Sequence, residues 1–358
     1  MKKILFAIGY STELGGAQKV FITTIKELSK MDCQITVILP DATLASFLKS
    51  HDIKIYIVDF HSIKCLIAIH KILKENDFDV INTYLPKCSL LVSLVNLLHR
   101  IPICCTLLNA IIHEKLNGFQ KGIYPLLYFI LSRMCDGFIV NSENNKQHFM
   151  KTSRIGGNII KVIYSGIEMD EFINVPEVAK IKGKLVLGYV GRLSPEKGPY
   201  YLLKALTYLN DIDYECLIVG DGPIRSELEN YVEANKLKGK VIFLGYQDKI
   251  ANIINKMDVV VVPSLNETFG LTIIETFALK KTVIASNVGG IPEVVTHGET
   301  GFLFPARDSL ALSEWILYIY NNKEKIKEMS INAYKYVSQN FTSSIMAENT
   351  FNYLTSLM

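Results

Sequence analysis

The sequence of 358 residues has no uninterrupted apolar run near the ~18 to 20 residues that span a bilayer. The nearest candidate, residues 88–98, is followed by a histidine, an arginine and a proline within 99–102. Residues 1–10, MKKILFAIGY, have two lysines like a signal peptide, but their apolar stretch is short and no small-residue cleavage site follows. We therefore expect no membrane-crossing helix and interpret residues 1–10 as a buried first β-strand.

Cysteines are few, odd in number and never spaced as C-x-x-C, which argues against a disulfide framework and a zinc site. We predict that they are buried free thiols in a reducing cytoplasm. No His, Cys or Asp cluster has the spacing of metal ligands, so we expect no required metal. The seven cysteines are Cys33, Cys65, Cys88, Cys104, Cys105, Cys135 and Cys216.

Composition and length predict two globular domains. Apolar residues make up 49% and charged residues 20% of the chain, which excludes a disordered protein. At roughly 100 to 200 residues per domain, 358 residues are too many for one. The chain has 19 basic and 12 acidic residues up to Ser165, and 19 and 23 after it. The basic first half predicts an anionic partner, unless it reflects chance surface composition.

Short β-branched runs alternate with amphipathic helical stretches, a rhythm that predicts parallel sheets covered by helices. Residues 166–184 are charged and contain Pro176 and Gly183, so they are interpreted as a connection. The predicted fold is α/β, with two doubly wound Rossmann-like domains, 1–165 and 166–342, facing each other across a cleft. The predicted strands are 3–8, 34–39, 54–58, 80–83, 103–108, 137–140, 185–190, 215–219, 241–244, 259–263 and 282–285, and the predicted late helical segments are 314–338 and 343–357.

Ligands of doubly wound sheets bind beyond the carboxyl ends of the strands. Three of the loops predicted there contain glycines or charged residues that suit a ligand. LGGAQ, residues 14–18, precedes a helix; its glycine pair admits a phosphate to backbone N–H groups, or is a plain turn. VGRLSPEKG presents Arg192 and Lys197 after a strand, which suits a diphosphate. VGDGP places Asp221 between Gly220 and Gly222. This segment is interpreted either as a ligand-binding loop or as a tight turn from strand to helix, with equal support for both.

Residues 259–278 contain two carboxylates. Glu267 is predicted to lie in the loop after a strand, and Glu275 about one and a half turns into the next helix. There the carboxylates accept hydrogen bonds from sugar or ribose hydroxyls, while N–H groups at Gly270 and Leu271 meet an anion. Two carboxylates also suit glycoside hydrolysis, but the arginine and lysine loop favours a phosphate-bearing ligand.

Together these segments resemble the retaining nucleotide-sugar glycosyltransferases of family 4, which have the GT-B fold. The resemblance implies a hexosyltransferase-type enzyme that needs neither metal nor cofactor. Residues 1–165 would bind the acceptor, residues 166–342 would bind the donor, and the helix at 343–358 would pack back onto the first domain. The matching segments are LGGAQ, VIYSGIEMDEF at 162–172, VGRLSPEKG, VGDGP, the pair Glu267 and Glu275, GGIPEVV at 289–295 and ETGFLF at 299–304.

The resemblance also implies a role for each matching residue. Arg192 and Lys197 would bind the donor diphosphate and stabilise the leaving nucleotide. Glu267 would hold hydroxyls of the transferred sugar, as the third catalytic residue, and Glu275 those of the ribose. The remaining donor-binding residues would be Gly15, Gly16, Asp221, Gly222, Phe269, Gly270 and Leu271.

One position departs from the family pattern. Where the family commonly has Thr-x-His near the reacting sugar, this chain has Thr106 and then Leu108 in the histidine position. Asn109 or His113 is the candidate replacement on the acceptor side, with a surface histidine as the alternative for His113. The departure favours one alternative function, a donor-binding subunit without transferase activity. A nucleotide-sugar epimerase with the same two-domain architecture is a further alternative.

The excess of basic residues in the first half of the chain suggests which kind of acceptor it binds. Lys115, Lys121 and Arg133 flank the aromatic-rich segment 118–131, which suits docking on an anionic bilayer or burial against the sheet. We expect transfer from a nucleotide-sugar, at family level a UDP-sugar, to a lipid-linked saccharide in bacterial surface polysaccharide or glycan synthesis. The enzyme would be cytoplasmic or peripheral on the inner face of the cell membrane. The sequence contains no pattern of basic residues interleaved with aromatic ones that would form a nucleic-acid-binding groove, so we expect no nucleic-acid partner.

Overall fold

The computed structural model describes residues 1–9, 15–49, 53–108, 118–153, 156–173, 175 and 184–358, with the backbone alone at 118–123. The chain divides into two compact units. The first comprises Met1–Gly166 together with Ser343–Met358, and the second comprises Ile167–Thr342. The division falls one residue after the boundary predicted from the sequence.

Seven parallel strands form the sheet of the first unit. They are β1 (Lys2–Ile8), β2 (Cys33–Leu39), β3 (Lys54–Ile57), β4 (Val80–Tyr84), β5 (Ile103–Leu107), β6 (Gly137–Val140) and β7 (Ile160–Val162). Their order is β3-β2-β1-β4-β5-β6-β7, so β1 lies inside the sheet between β2 and β4. The last five residues of β1 are buried, because both faces of a parallel sheet are covered. Strand β7 was absent from the predicted strands, since three residues carry too short a pattern.

The sheet of the second unit has six parallel strands. They are β8 (Leu185–Val190), β9 (Tyr214–Val219), β10 (Val241–Gly245), β11 (Val259–Val262), β12 (Thr282–Ser286) and β13 (Gly301–Phe304), in the order β10-β9-β8-β11-β12-β13. The short edge strand β13 lies in the ETGFLF segment and was also absent from the predicted strands. The predicted class, α/β with two Rossmann-like domains built on parallel sheets, is confirmed.

The helices pack on these sheets. In chain order they are α1 (Gly16–Leu28), α2 (Cys65–Glu75), α3 (Pro86–Asn96), α4 (Gly118–Leu131), α5 (Glu143–Ser153), α6 (Asp170–Ile173), α7 (Pro199–Leu206), α8 (Arg225–Ala234), α9 (Ile250–Ile254), α10 (Leu271–Ala278), α11 (Ile291–Val294), α12 (Ser309–Asn321), α13 (Lys323–Asn340) and α14 (Ser343–Ser356). Within the described ranges, no helix has the length and apolar character needed to cross a bilayer.

The prediction of one continuous helical segment over 314–338 is wrong. Helices α12 and α13 are separated by Asn322, whose φ of −127° and ψ of 53° are not helical. Its side-chain Nδ2 donates a hydrogen bond to the Tyr318 carbonyl at 2.8 Å. This bond satisfies a carbonyl group that the end of a helix leaves without a backbone partner, so the asparagine ends one helix before the next begins.

Helix α14 packs against α1 within the first unit. Near its start, Ser343 Oγ donates a hydrogen bond to Glu27 Oε1 at 3.0 Å. Near its end, Tyr353 OH donates to the Ile159 carbonyl at 2.9 Å, and its ring fills the space beside Gly137 of β6. The last helix is thus joined to the first unit at both ends.

Six of the seven cysteines are buried, Cys33 is half-buried, and all seven are free thiols. The prediction that these residues are free thiols, mostly buried, is therefore confirmed. Cys105 of β5 donates a hydrogen bond to Ser89 Oγ at 3.0 Å, and burial raises the pKa of its thiol to about 12. Such a thiol stays protonated and unreactive in the folded protein.

Candidate active site

Four loops of the second unit, after β8, β9, β11 and β12, share the carboxyl-terminal edge of its sheet. Adjacent parallel strands open to the same edge, so these loops share one surface. Backbone hydrogen bonds hold the loop that carries Arg192 and Lys197 against those that carry Asp221 and Glu267. These bonds run from Leu193 N to Asp221 O at 2.9 Å and from Leu265 N to Glu196 O at 2.8 Å. A third bond, from Gly290 N to Glu267 O at 2.9 Å, joins the loop after β12 to the loop that carries Glu267.

The structure brings Lys197 and Glu267 together in an ion pair, with Nζ 2.6 Å from Oε2. Lys197 ends a turn of 3-10 helix, Pro195–Lys197, and Glu267 lies between β11 and α10. Their side chains are 34% and 15% exposed, so solvent screens the pair only in part. The arrangement places an ammonium group suited to a phosphate beside a carboxylate suited to a hydroxyl.

Gly198 lets the loop after β8 pass close to the loop after β11. Its φ is 65°, in the left-handed region, and a Cβ atom would clash with the carbonyl oxygen of Pro263. A larger residue would have to displace one of the loops that position Lys197 and Glu267. The last glycine of VGRLSPEKG is therefore explained by this close approach.

A buried tyrosine, which sequence reasoning missed, supports the Arg192 backbone. Tyr189 in β8 is 2% exposed, and its OH donates a hydrogen bond to the Arg192 carbonyl at 2.8 Å. Burial raises its pKa well above the ordinary value, and the negative charges of Glu267 and Glu196 act in the same direction. The phenol therefore stays protonated and remains a donor. The available signal was a hydroxyl inside the otherwise apolar strand LVLGYV.

Arg192 presents its side chain to solvent, and no ion pair links its guanidinium to another described residue. Ser194, two residues later, is 2% exposed, and its hydroxyl lacks a hydrogen-bond partner in the part of the chain that the structure describes. An exposed guanidinium with its backbone fixed by Tyr189 can fork onto an anion at this edge of the sheet.

Asp221 is exposed at the end of β9 and is paired with Arg225, Oδ2 to Nη1 2.8 Å. The Gly222 N–H, which donates to Oδ1, and the Arg225 guanidinium hold the pKa of the Asp221 carboxyl below its usual range. A Cβ atom on Gly222 would clash with the Leu193 carbonyl. VGDGP therefore has a packing role here, and a donor-binding role of Asp221 and Gly222 stays a prediction.

The two carboxylates of the ExxxxxxxE pair differ in access. Helix α10 starts at Leu271, directly after Gly270. Glu275 lies in its second turn and is 5% exposed, whereas the Glu267 side chain is 15% exposed before the helix. Phe269 packs edge-on against Phe341, with ring centroids 5.5 Å apart, and is 1% exposed, so its ring belongs to the core and its donor-binding role stays a prediction.

The structure describes only some of the site residues that were predicted in the first half of the chain. Gly15 and Gly16 lie at the start of α1, where no side chain caps the helix, and their donor-binding role stays a prediction. Leu108 follows β5 and is 8% exposed, so its buried alkyl group provides no hydrogen-bonding atom at this end of the sheet. Asn109 and His113 lie outside the described residues. Among the described residues, there is no group of three or more His, Cys, Asp or Glu side chains that could hold a metal ion.

Two family models together match most of the chain. The model described as Glycosyltransferase Family 4 matches residues 14–171, and the model described as Glycosyl transferases group 1 matches residues 170–336. The chain belongs to glycosyltransferase family 4. The Lys197–Glu267 pair and its surrounding loops lie within the second match, and Gly15 and Gly16 lie within the first.

The names of two relatives of this glycosyltransferase indicate that those proteins act on glycans. It is 28% identical over 259 residues to the UDP-Gal:alpha-D-GlcNAc-diphosphoundecaprenol alpha-1,3-galactosyltransferase of Escherichia coli, covering 68% of this chain and 67% of that one. It is 26% identical over 341 residues to the capsular polysaccharide biosynthesis glycosyltransferase CapM of Staphylococcus aureus, covering 90% and 85%.

Solved structures share the fold. Anabaena Alr3699/HepE, solved in complex with UDP and glucose, superposes with a TM-score of 0.86 over 99% of this chain and 100% of that chain, at 23% identity. Its fold is GT-B, so the predicted fold class of this glycosyltransferase is confirmed at the level of the family fold as well.

Proposed function

We propose that the protein is a retaining, metal-independent hexosyltransferase that moves a sugar from a UDP-sugar to a lipid-linked saccharide in bacterial surface polysaccharide or glycan synthesis. The observation that carries the proposal is the Lys197–Glu267 pair, held 2.6 Å apart by the loops at the carboxyl edge of the second sheet. Two similar proteins support it: the E. coli relative is named for a UDP-galactose donor and a diphosphoundecaprenol acceptor, and the Anabaena structure contains UDP.

In this proposal the second unit binds the donor. Arg192 grips the diphosphate as a planar fork and Lys197 as a point charge. Backbone N–H groups at the start of α10 add to this anion site, because the first turn of a helix leaves them without backbone partners. Glu267 accepts hydrogen bonds from the transferred sugar, and Glu275 those of the ribose.

The proposed chemistry is substitution at the anomeric carbon of the donor sugar. The bond from this carbon to the β-phosphate oxygen breaks, and the acceptor hydroxyl oxygen forms the new bond on the same face, so the configuration is retained. The acceptor proton passes to the departing phosphate. Arg192 and Lys197 stabilise the charge that develops on the leaving diphosphate, which supplies electrostatic catalysis without a metal.

A lipid-linked acceptor also determines where the enzyme works. We place it in the cytoplasm, peripherally on the inner face of the cell membrane, because the saccharide to be extended is anchored there. The excess of basic residues in the first half of the chain favours an anionic surface of this kind.

Ligand-dependent unfolding tests the donor assignment. A UDP-sugar is expected to raise the melting temperature, because it binds the folded state alone, and GDP- and ADP-sugars are expected to do so less. Lys197→Ala should lose most of the shift. No shift with any of the three nucleotide-sugars would overturn the proposal.

The buried Leu108 favours a second candidate, a donor-binding subunit that does not catalyse transfer. Single-turnover release of UDP from a UDP-sugar, with extracted membrane lipids as acceptor, separates the two. Release that depends on Glu267 and Lys197 supports the enzyme, whereas tight UDP-sugar binding without release supports the subunit.

A further inference from the structure

Two carboxylates lie on adjoining loops at the carboxyl edge of the second sheet. Glu196 is in the 3-10 turn Pro195–Lys197 after β8, and Glu267 lies between β11 and α10. Leu265 N donates a hydrogen bond to the Glu196 carbonyl at 2.8 Å, so the backbone joins the two loops. Both acidic residues are half-buried. We call these two residues the acidic pair.

The buried phenol of Tyr189 responds to both charges of the acidic pair. Tyr189 is 2% exposed, and burial raises its pKa well above the ordinary value. The negative charges of Glu267 and then of Glu196 raise this pKa further. Because the Coulomb energy falls with distance, both carboxylates lie near this one phenol, and their fields add in the same part of the site.

The cations beside the acidic pair are the two that the proposed function assigns to the donor diphosphate. Lys197 contacts Glu267, with Nζ 2.6 Å from Oε2, and Arg192 presents its side chain to solvent. Each phosphate of a nucleotide-sugar carries a negative charge, so a bound diphosphate matches both cations. The negative charge of the acidic pair is then left largely uncompensated.

The other described loops at this edge of the second sheet supply no cation that opposes the acidic pair. The loop after β12, residues 287–290, is uncharged, and α11, which follows it, adds Glu293. Arg225, which begins α8 after β9, is paired with two carboxylates at 2.8 Å each. The remaining cations of these loops, Lys249 and Arg307, follow β10 and β13, the two edge strands of the sheet. The surface around the acidic pair therefore stays negative when a diphosphate is bound.

We propose that the donor site accepts a neutral sugar or an amino sugar and rejects a uronic acid. A carboxylate on the transferred sugar would meet the acidic pair, and juxtaposed like charges lower affinity. Sugar hydroxyls donate hydrogen bonds to carboxylates, and an ammonium group adds Coulomb attraction. Glu267 holds the sugar, whereas Glu196 determines specificity through its charge. The inference rests on the proposed function, because it takes the donor to be a nucleotide-sugar bound at the Lys197–Glu267 pair.

Dissociation constants of matched UDP-sugars, measured by isothermal titration calorimetry, test this selectivity. UDP-glucuronate is expected to bind about tenfold or more weakly than UDP-glucose, and UDP-galacturonate likewise more weakly than UDP-galactose. UDP-glucosamine should bind at least as tightly as UDP-glucose. Each comparison keeps the nucleotide and the ring configuration, so the charge of the sugar is the main difference. High salt should narrow the differences, because ions screen charges that are only half-buried.

The variant Glu196→Gln tests the source of the selectivity, because the amide keeps the shape of the side chain and removes its charge. E196Q should reduce the ratio of the uronate and hexose dissociation constants about threefold or more. A ratio taken within one variant cancels effects that are common to both ligands. E227Q, which neutralises an exposed glutamate of α8, is the matched control and should keep the ratio of the unaltered protein. Circular dichroism checks that both variants are folded.

Two results would overturn the selectivity: a uronate that binds as tightly as its hexose, or an E196Q ratio equal to that of the unaltered protein. Binding of UDP alone is measured on the same samples. If UDP and the hexose donors bind and the uronates bind equally well, the selectivity alone is overturned and the donor assignment stands. If neither UDP nor any UDP-sugar binds, the proposed function fails and the selectivity fails with it.

Discussion

Lys197 Nζ and Glu267 Oε2 lie 2.6 Å apart although their residues are separated by 70 positions in the chain. The contact exists because β8 and β11 are neighbours in the sheet, so the loops that follow them end side by side. Each charge holds the other in a partly dehydrated position. An arriving diphosphate can share the ammonium while the carboxylate accepts a sugar hydroxyl, so little reorganisation is needed during the reaction.

Removal of either partner should therefore impair catalysis more than folding. K197A and E267Q are each expected to lower the rate of UDP release about 10²- to 10³-fold, the range found when one preorganised charge-stabilising group is lost. The measurement is single-turnover release from a UDP-sugar. K204A, which removes an exposed lysine of α7 in the same unit, is the control and should keep the full rate. Equal rates in all three variants would contradict a catalytic role for the pair.

The close approach at Gly198 predicts a large cost for one methyl group. G198A should lower the free energy of unfolding by about 2 to 5 kcal/mol, because backbone strain and a clash with the Pro263 carbonyl add. G239A is the matched control: its φ of 84° is also left-handed, but no heavy atom lies within 4 Å of the added Cβ. It should cost about 1 to 2 kcal/mol from strain alone. Denaturant titration compares the two, and similar losses would show that the clash is relieved at no cost.

Much of the fold was predictable, because buried parallel strands are β-branched runs that can be recognised locally. Strands β6 and β8 were predicted with their observed bounds. Strand β7 was missed because it has only three residues, and β13, GFLF, because it contains no β-branched residue. The break at Asn322 was missed because one side-chain hydrogen bond decides it.

The candidate site was predictable in residue type but not in geometry. Arg192, Lys197 and Glu267 stand out in their loops, yet the contact between Lys197 and Glu267 depends on strand order, which the sequence does not display. Tyr189 was missed because its role depends on the backbone of Arg192 reaching its hydroxyl. The burial of Glu275 likewise follows from how α10 packs, not from its spacing.

The buried thiols predict a loss of stability at alkaline pH. The pKa of Cys105 is about 12 in the folded protein, above the ordinary thiol value of 9.0, so the contribution is complete below pH 9 and is lost as the pH rises toward 12. Unfolding by denaturant at pH 8 and pH 10 should show a lower free energy of unfolding at pH 10. C105A should reduce the difference between the two pH values. An unchanged difference in C105A would assign the effect to other groups.

Trp315, the one tryptophan of the chain, makes the second unit separately observable. Its ring stacks on Phe302 with centroids 4.3 Å apart and planes 13° from parallel, so unfolding of this unit should change its fluorescence. UDP should stabilise the tryptophan-reported transition by about 2.7 kcal/mol at a concentration about 100 times its Kd, since the proposed donor residues all lie in the second unit apart from Gly15 and Gly16. K197A should keep the fluorescence change but lose most of the UDP effect. If UDP stabilises a transition seen by far-ultraviolet circular dichroism but not the one reported by Trp315, the nucleotide binds the first unit instead.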